Sequence, residues 1–175
     1  MSEALKERAI ESLEFARSMF GMITNGMTDD KACFQSRPSD NHLLWTMGHL
    51  AVTDVWVVKM MAGETVAEGL VPETYEKLFG YGSKVESDAS VYPSLAEVRG
   101  YFESAHNTLI ETAKSKSVDQ LLMSIEEASG GFMKDGIDGI MKCAWHEGWH
   151  TGQLSTLRRE MGLGSAFGEQ PDPSS

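Results

Sequence analysis

The clearest chemistry in the chain is His146-Glu147-Gly148-Trp149-His150. At about 100° per residue, two histidines four apart on a helix project from one face at adjacent turns and could share one metal ion. Cys143, Leu154, Leu157 and Met161 fall on the same side, an apolar stripe where an unpartnered imidazole costs desolvation that coordination would remove. The alternative is a pair of core histidines hydrogen-bonded to neighbouring side chains. The five residues also match the HExxH spacing, in which the glutamate is a general base. Glu147 is therefore the candidate catalytic residue, the alternatives being a flanking carboxylate or a partner that holds one histidine.

A third ligand must come from another helix. His49 qualifies, because Trp45, His49, Val52, Trp56 and Met60 recur at three- and four-residue steps and so share one side of a helix. His42, one heptad earlier, and His106, at the edge of another apolar stripe, are the reserve candidates. Three imidazoles leave coordination positions open, which suits catalysis better than a closed structural site. Histidine ligands accept several divalent metals, with zinc or nickel the first expectation. Cys143 is either a soft ligand, a reactive thiol or a small buried hydrophobe. Gln153 could orient a ligand or a bound water, or serve as an interior hydrogen-bonding residue. The four tryptophans, Trp45, Trp56, Trp145 and Trp149, line a pocket or fill a core or subunit contact.

The elements that must position these residues are helices. Leu5, Ala9, Leu13, Ala16 and Phe20 mark a first helix over about residues 3–24, with Ser2 as its cap and Asn25-Gly26 as its stop. Turn residues through Asn41 precede a second helix over about 41–62. Pro72 to Phe79 carries about two helical turns in a long irregular connection. Ser94 and Glu97 form a capping pair for a third helix that ends near Ser115. A short apolar turn from Val118 to Ile125 leads through glycines to a fourth helix over about 137–161. The expected fold is all-α, a four-helix bundle with a long connection between helices two and three. The domain expectation is residues 1–163, with 164–175 a flexible tail.

Composition limits the functions on offer. The chain has 175 residues, 41% apolar and 23% charged, enough apolar content for one buried core. Against 15 Lys and Arg stand 26 Asp and Glu, a formal charge of −11, so nucleic acid and anionic membranes are disfavoured partners. Two cysteines, Cys33 and Cys143, suit a reduced compartment better than a disulfide scaffold. Met1 to Ile10 has no apolar signal core, and the apolar run from Leu43 to Met61 is broken by His49, Asp54 and Lys59. The expectation is a cytoplasmic protein acting on a small molecule.

Two segments resemble the DinB-like (DinB/YfiT-like) metalloenzyme family. One is Arg37-Pro38 followed by Asn41-His42-Leu43-Leu44-Trp45-Thr46-Met47-Gly48-His49-Leu50; the other is His146 to Leu154 followed by Leu157-Arg158-Arg159-Glu160-Met161-Gly162. Their order and separation fit the chain to about residue 163. The resemblance implies a four-helix bundle, frequently a homodimer, with a divalent metal on His49, His146 and His150. His42 departs from the family, which usually has a small hydroxyl residue there. Relatives with assigned roles include transferases and isomerases that use low-molecular-weight thiols. The functional expectation is therefore a metal-dependent enzyme, a thiol-dependent S-transferase ahead of a hydrolase. The competing class is a non-catalytic, stress-associated metal-binding dimer.

Overall fold

Capping chemistry sets where the long helices begin and end. The computed structural model describes residues 2–168. Helix α1 spans Ser2–Thr24, so Ser2, the expected cap, is the first helical residue. Gly26 follows at φ 82, in the left-handed region that glycine reaches without strain. Helix α2 spans Leu43–Ala62 and starts later than its apolar pattern suggests, because His42 caps it. His42 Nδ1 accepts the Trp45 N–H at 3.1 Å while Nε2 meets the Glu86 carbonyl at 2.9 Å. Two short helices follow, α3 (Glu64–Ala67) and α4 (Thr74–Phe79). Helix α5 spans Leu95–Ser115 with Ser94 Oγ accepting the Glu97 N–H. Helix α6 (Val118–Leu121) has a reciprocal capping box of Ser117 and Gln120. Helix α7 spans Gly136–Glu160 with Asp135 at its N-cap.

Cross-helix contacts define the directions. Arg17 meets Glu147, and Arg158 reaches the Ile23 carbonyl at 3.1 Å, so α1 and α7 run the same way. Lys6 reaches the Lys114 and Lys116 carbonyls at 3.0 and 2.6 Å, and Arg17 the Phe102 carbonyl at 3.0 Å, so α1 and α5 are antiparallel. His49 faces His146 and Asn41 faces Gln153, so α2 is antiparallel to α7 and parallel to α5. Parallel neighbours in a bundle need a connection that returns along its length. The chain from Gly63 to Ser94 contains α3, α4 and a 3-10 turn at Ala89–Val91. The architecture is all-helical, as the periodicity predicts; among the described residues the extended contact is one isolated bridge, Ser124 to Asp135.

The core falls into two apolar lobes. One gathers Phe20 and Ile23 of α1, Leu43 to Ala51 of α2, Leu95 to Ala105 of α5 and Leu154 and Leu157 of α7, with Tyr75 and Phe79 of α4. The other gathers Ala9, Ile10 and Leu13, Val57 and Val58, Leu109 and Ala113, and Ile137, Ile140 and Cys143. Between them sits a polar layer with one residue from each long helix: Arg17, Asp54, His106 and Glu147. Leu163 and Ala166 pack partly against the first lobe; residues 169–175 of the expected tail lie outside the described residues. Among the described residues no helix is long and apolar enough to cross a membrane.

Candidate metal centre

Helix α2 delivers His49, and two successive turns of α7 deliver His146 and His150, to the same side of the α2–α7 seam. Their ring nitrogens lie within 4.8 Å of one another. His146 Nε2 is 3.3 Å from His49 Nε2 and 3.0 Å from His150 Nε2. Three nitrogens at metal bonds of about 2.0–2.1 Å, with angles between right and tetrahedral, would stand about 2.8–3.4 Å apart. Both separations fall in that range.

Proton placement strengthens the fit. His49 Nδ1 faces the Phe79 carbonyl at 2.7 Å; a carbonyl only accepts, so Nδ1 carries the proton and Nε2 presents a lone pair. His150 Nδ1 faces Gln153 Oε1 at 2.9 Å, and Asn41 Nδ2 donates to that same oxygen at 3.2 Å. His150 therefore also presents a lone pair at Nε2. His146 Nε2 can donate to one of these neighbours at most, so three converging nitrogens share no more than one proton. A divalent cation would satisfy all three lone pairs together.

Electrostatics keep the cluster neutral. Burial pushes the His146 imidazole down to about 3, with His150 and His49 adding to the effect. Burial, then His49, pushes His150 down to about 4. His49 is lowered by burial, against which the Phe79 carbonyl works. Neutral imidazole is the form that ligates.

Local packing explains why His49 sits where it does. A Cβ at Gly48 would overlap the Phe79 ring, so glycine lets α4 close onto α2 and bring the Phe79 carbonyl to the neighbouring imidazole. Trp45 stacks on His49 with ring centroids 4.6 Å apart and 11° between planes. Its indole N–H donates to Ser83 Oγ at 3.0 Å. Of the line Trp45, His49, Val52, Trp56, Met60, the residues His49, Val52 and Trp56 border an open groove, while Trp45 is buried. The deep face of α2 is Leu43, Met47, Leu50, Ala51, Asp54 and Val58.

The remaining candidates lie elsewhere. His42 is fully buried with both nitrogens engaged in the α2 cap. His106 joins the interior polar layer, its Nδ1 3.5 Å from Asp54 Oδ2 and 4.0 Å from Glu147 Oε2. Glu147 is buried and faces the same layer: Arg17 Nε donates to Oε1 at 2.6 Å and Nη2 to Oε2 at 3.4 Å. Burial raises its carboxyl pKa, opposed by Arg17. Cys143 borders the seam as a buried thiol that burial holds well above its ordinary pKa. Gln153 takes the orienting role among its two expectations. Sequence reasoning missed Arg17, whose guanidinium also contacts Asp54 at 3.3 Å and lies 3.4 Å from the Phe102 ring centre. No local signal marks a surface-pattern arginine whose partner is Glu147, 130 positions away.

Beside the triad opens a cavity of about 730 Å³, bordered by His49 and His146 and walled largely by aromatic and aliphatic side chains of α2 and α7. Glu147 and His150 are not among its lining residues. The site thus combines a ligating cluster with an adjoining hollow of ligand size.

The chain has no match among curated proteins. A family profile described as the DinB superfamily matches residues 12–154, a span that holds all three histidines, Asn41, Trp45 and Gln153. With its all-helical architecture and a three-histidine cluster compatible with a divalent metal, this chain belongs to the DinB superfamily.

Proposed function

We propose that the protein is a metal-dependent enzyme that joins a low-molecular-weight thiol to an organic electrophile at the His49–His146–His150 centre. The observation that carries this reading is the convergence of three imidazole Nε2 atoms, with two of the rings, His49 and His146, bordering a cavity of about 730 Å³. A divalent cation held there, zinc or nickel first, supplies the acidification of a thiol near neutral pH. His49 and His150 are held in ligating form by the Phe79 carbonyl and Gln153. The apolar walls exclude water from the electrophile. In the overall change the thiol proton passes to solvent at the cavity mouth and a sulfur–carbon bond forms. The carbon–leaving-group bond breaks with its electron pair going to the leaving group.

Two features favour transfer over the alternatives. Hydrolysis through Glu147 as general base would need its carboxylate at the cavity, whereas Arg17 holds it in the interior layer. A metal that only braced a dimer would need no ligand-sized hollow. The test is elemental analysis of untagged protein beside His49→Ala and His150→Ala. The expected result is near-stoichiometric metal in the wild type, lost in both variants. Metal-dependent consumption of 1-chloro-2,4-dinitrobenzene that requires added thiol should accompany it. A wild type that takes no metal overturns the reading. So does metal-loaded protein with no thiol-dependent turnover above background.

A further inference from the structure

The hollow beside the triad is longer than a small polar thiol requires. On α2 it runs from His49 to Val57 and on α7 from Trp149 back to Lys142; at 1.5 Å rise per residue these spans are about 12 Å and about 10 Å. Its walls are Val52, Trp56, Val57, Phe132, Trp145 and Trp149. Trp56 and Phe132 meet at the end away from the histidines, with ring centroids 5.8 Å apart. Two charged groups border it. Lys142 is already committed to Asp138 at 2.8 Å and to the Phe132 carbonyl. Glu76 is exposed and lies toward the histidine end, where its charge acts on His49. The hydroxyl residues Thr53, Tyr81 and Ser129 border the hollow as well, but Thr53 donates to the His49 carbonyl at 2.9 Å and Ser129 to the Glu126 and Met133 carbonyls at 3.1 and 2.9 Å, so the largely apolar walls favour an apolar body over a hydroxyl-rich one.

We propose that this hollow binds an elongated small molecule with one metal-ligating head at the triad and an apolar, uncharged body. That body reaches about 12 Å, roughly the length of a ten-carbon chain, to the Trp56–Phe132 pair. The assignment rests on the metal-centre reading above and names the substrate class for that site. The volume, about 730 Å³, lies within the range of small-ligand sites, and the head-to-tail polarity follows from ligating nitrogens at one end and aromatic rings at the other.

The test titrates zinc-loaded protein with straight-chain hydroxamates, from acetohydroxamate to dodecanohydroxamate, by calorimetry. Each methylene buried in an apolar wall is worth about fourfold in affinity. The expected Kd falls by about that factor per added carbon to about ten carbons, then levels. Trp56→Ala should abolish the gain for chains beyond about six carbons while leaving acetohydroxamate affinity and zinc content within twofold of wild type. Phe132→Ala, in an exposed loop position, provides the same readout should Trp56→Ala fold poorly. A Kd that does not change with chain length on zinc-loaded protein overturns the assignment and leaves the metal centre standing. The assignment also fails if the gain survives both substitutions. A flat series with a dimer that dissociates in Trp56→Ala hands the hollow to a second copy instead. A wild type that takes no metal overturns both readings.

Discussion

His150 offers Nε2 to the cluster because its Nδ1–H donates to Gln153 Oε1, and Asn41 in turn fixes which end of the Gln153 amide faces the ring. Outer partners of this kind typically contribute 10–100-fold in metal affinity. Gln153→Ala should therefore raise the metal Kd by about that factor with helix content unchanged; Gln153→Glu, which retains an acceptor, should recover most of the loss. Competition against a chromogenic chelator would measure both, and equal affinities in all three proteins would contradict the orienting role. The depressed imidazoles make a second prediction. Folded values of about 3 for His146 and about 4 for His150 lie below the ordinary histidine value, so between pH 6.5 and those values the unfolded chain binds protons that the folded chain refuses. Stability contributed by these groups is present above pH 6.5 and is lost as pH falls. Metal-free protein should lose on the order of 1–2 kcal/mol per histidine between pH 7 and pH 5, read from urea midpoints. An unchanged or rising midpoint would contradict the buried neutral cluster.

At the scale of elements, the contact between α4 and α2 decides whether His49 is aimed. Gly48→Ala must push the Phe79 ring and its carbonyl away from α2, at about 1–3 kcal/mol of overpacking. It should also weaken metal binding, whereas Gly100→Ala, on α5 with nothing near its Cβ position, should leave metal binding alone. Metal titrations beside thermal melts of the two variants separate these outcomes. His146 and His150 were legible as a pair through their four-residue spacing, whereas spacing left His49, His42 and His106 open as the third member and the family resemblance singled out His49, which the structure brings to the other two. The long helices were legible through Asn25-Gly26, Ser94-Glu97 and the apolar periods. The partners that aim the ligands were not, because a backbone carbonyl such as that of Phe79 has no sequence signature. His42 looked like a reserve ligand for a related reason: capping by an imidazole depends on where the helix starts, which periodicity locates only to within a turn. Glu147 resembled a general base through the HExxH spacing, while its actual environment is set by Arg17 on a different helix.

At the scale of the whole molecule, the Arg17–Asp54–His106–Glu147 layer separates two apolar lobes and touches all four long helices. Removing one partner of a buried ionic group leaves the others without compensation, typically at 3–5 kcal/mol. Arg17→Met should destabilise the protein by about that amount, and Arg17→Met combined with Glu147→Gln should recover part of it. Chemical denaturation of the single and double variants checks the coupling; additive losses would argue against a connected layer. The pairing of α1 with α7 has a further consequence, for synthesis. Helix α1 precedes α7 by more than a hundred residues, so a nascent chain holds the side of α1 that faces α7 uncovered until residues 136–160 have left the ribosome. Late closure of this kind exposes apolar surface to chaperones until the pairing forms. Chains halted before α7 would lack two of the three clustered histidines, so the ability to capture metal at this cluster waits on the translation of α7.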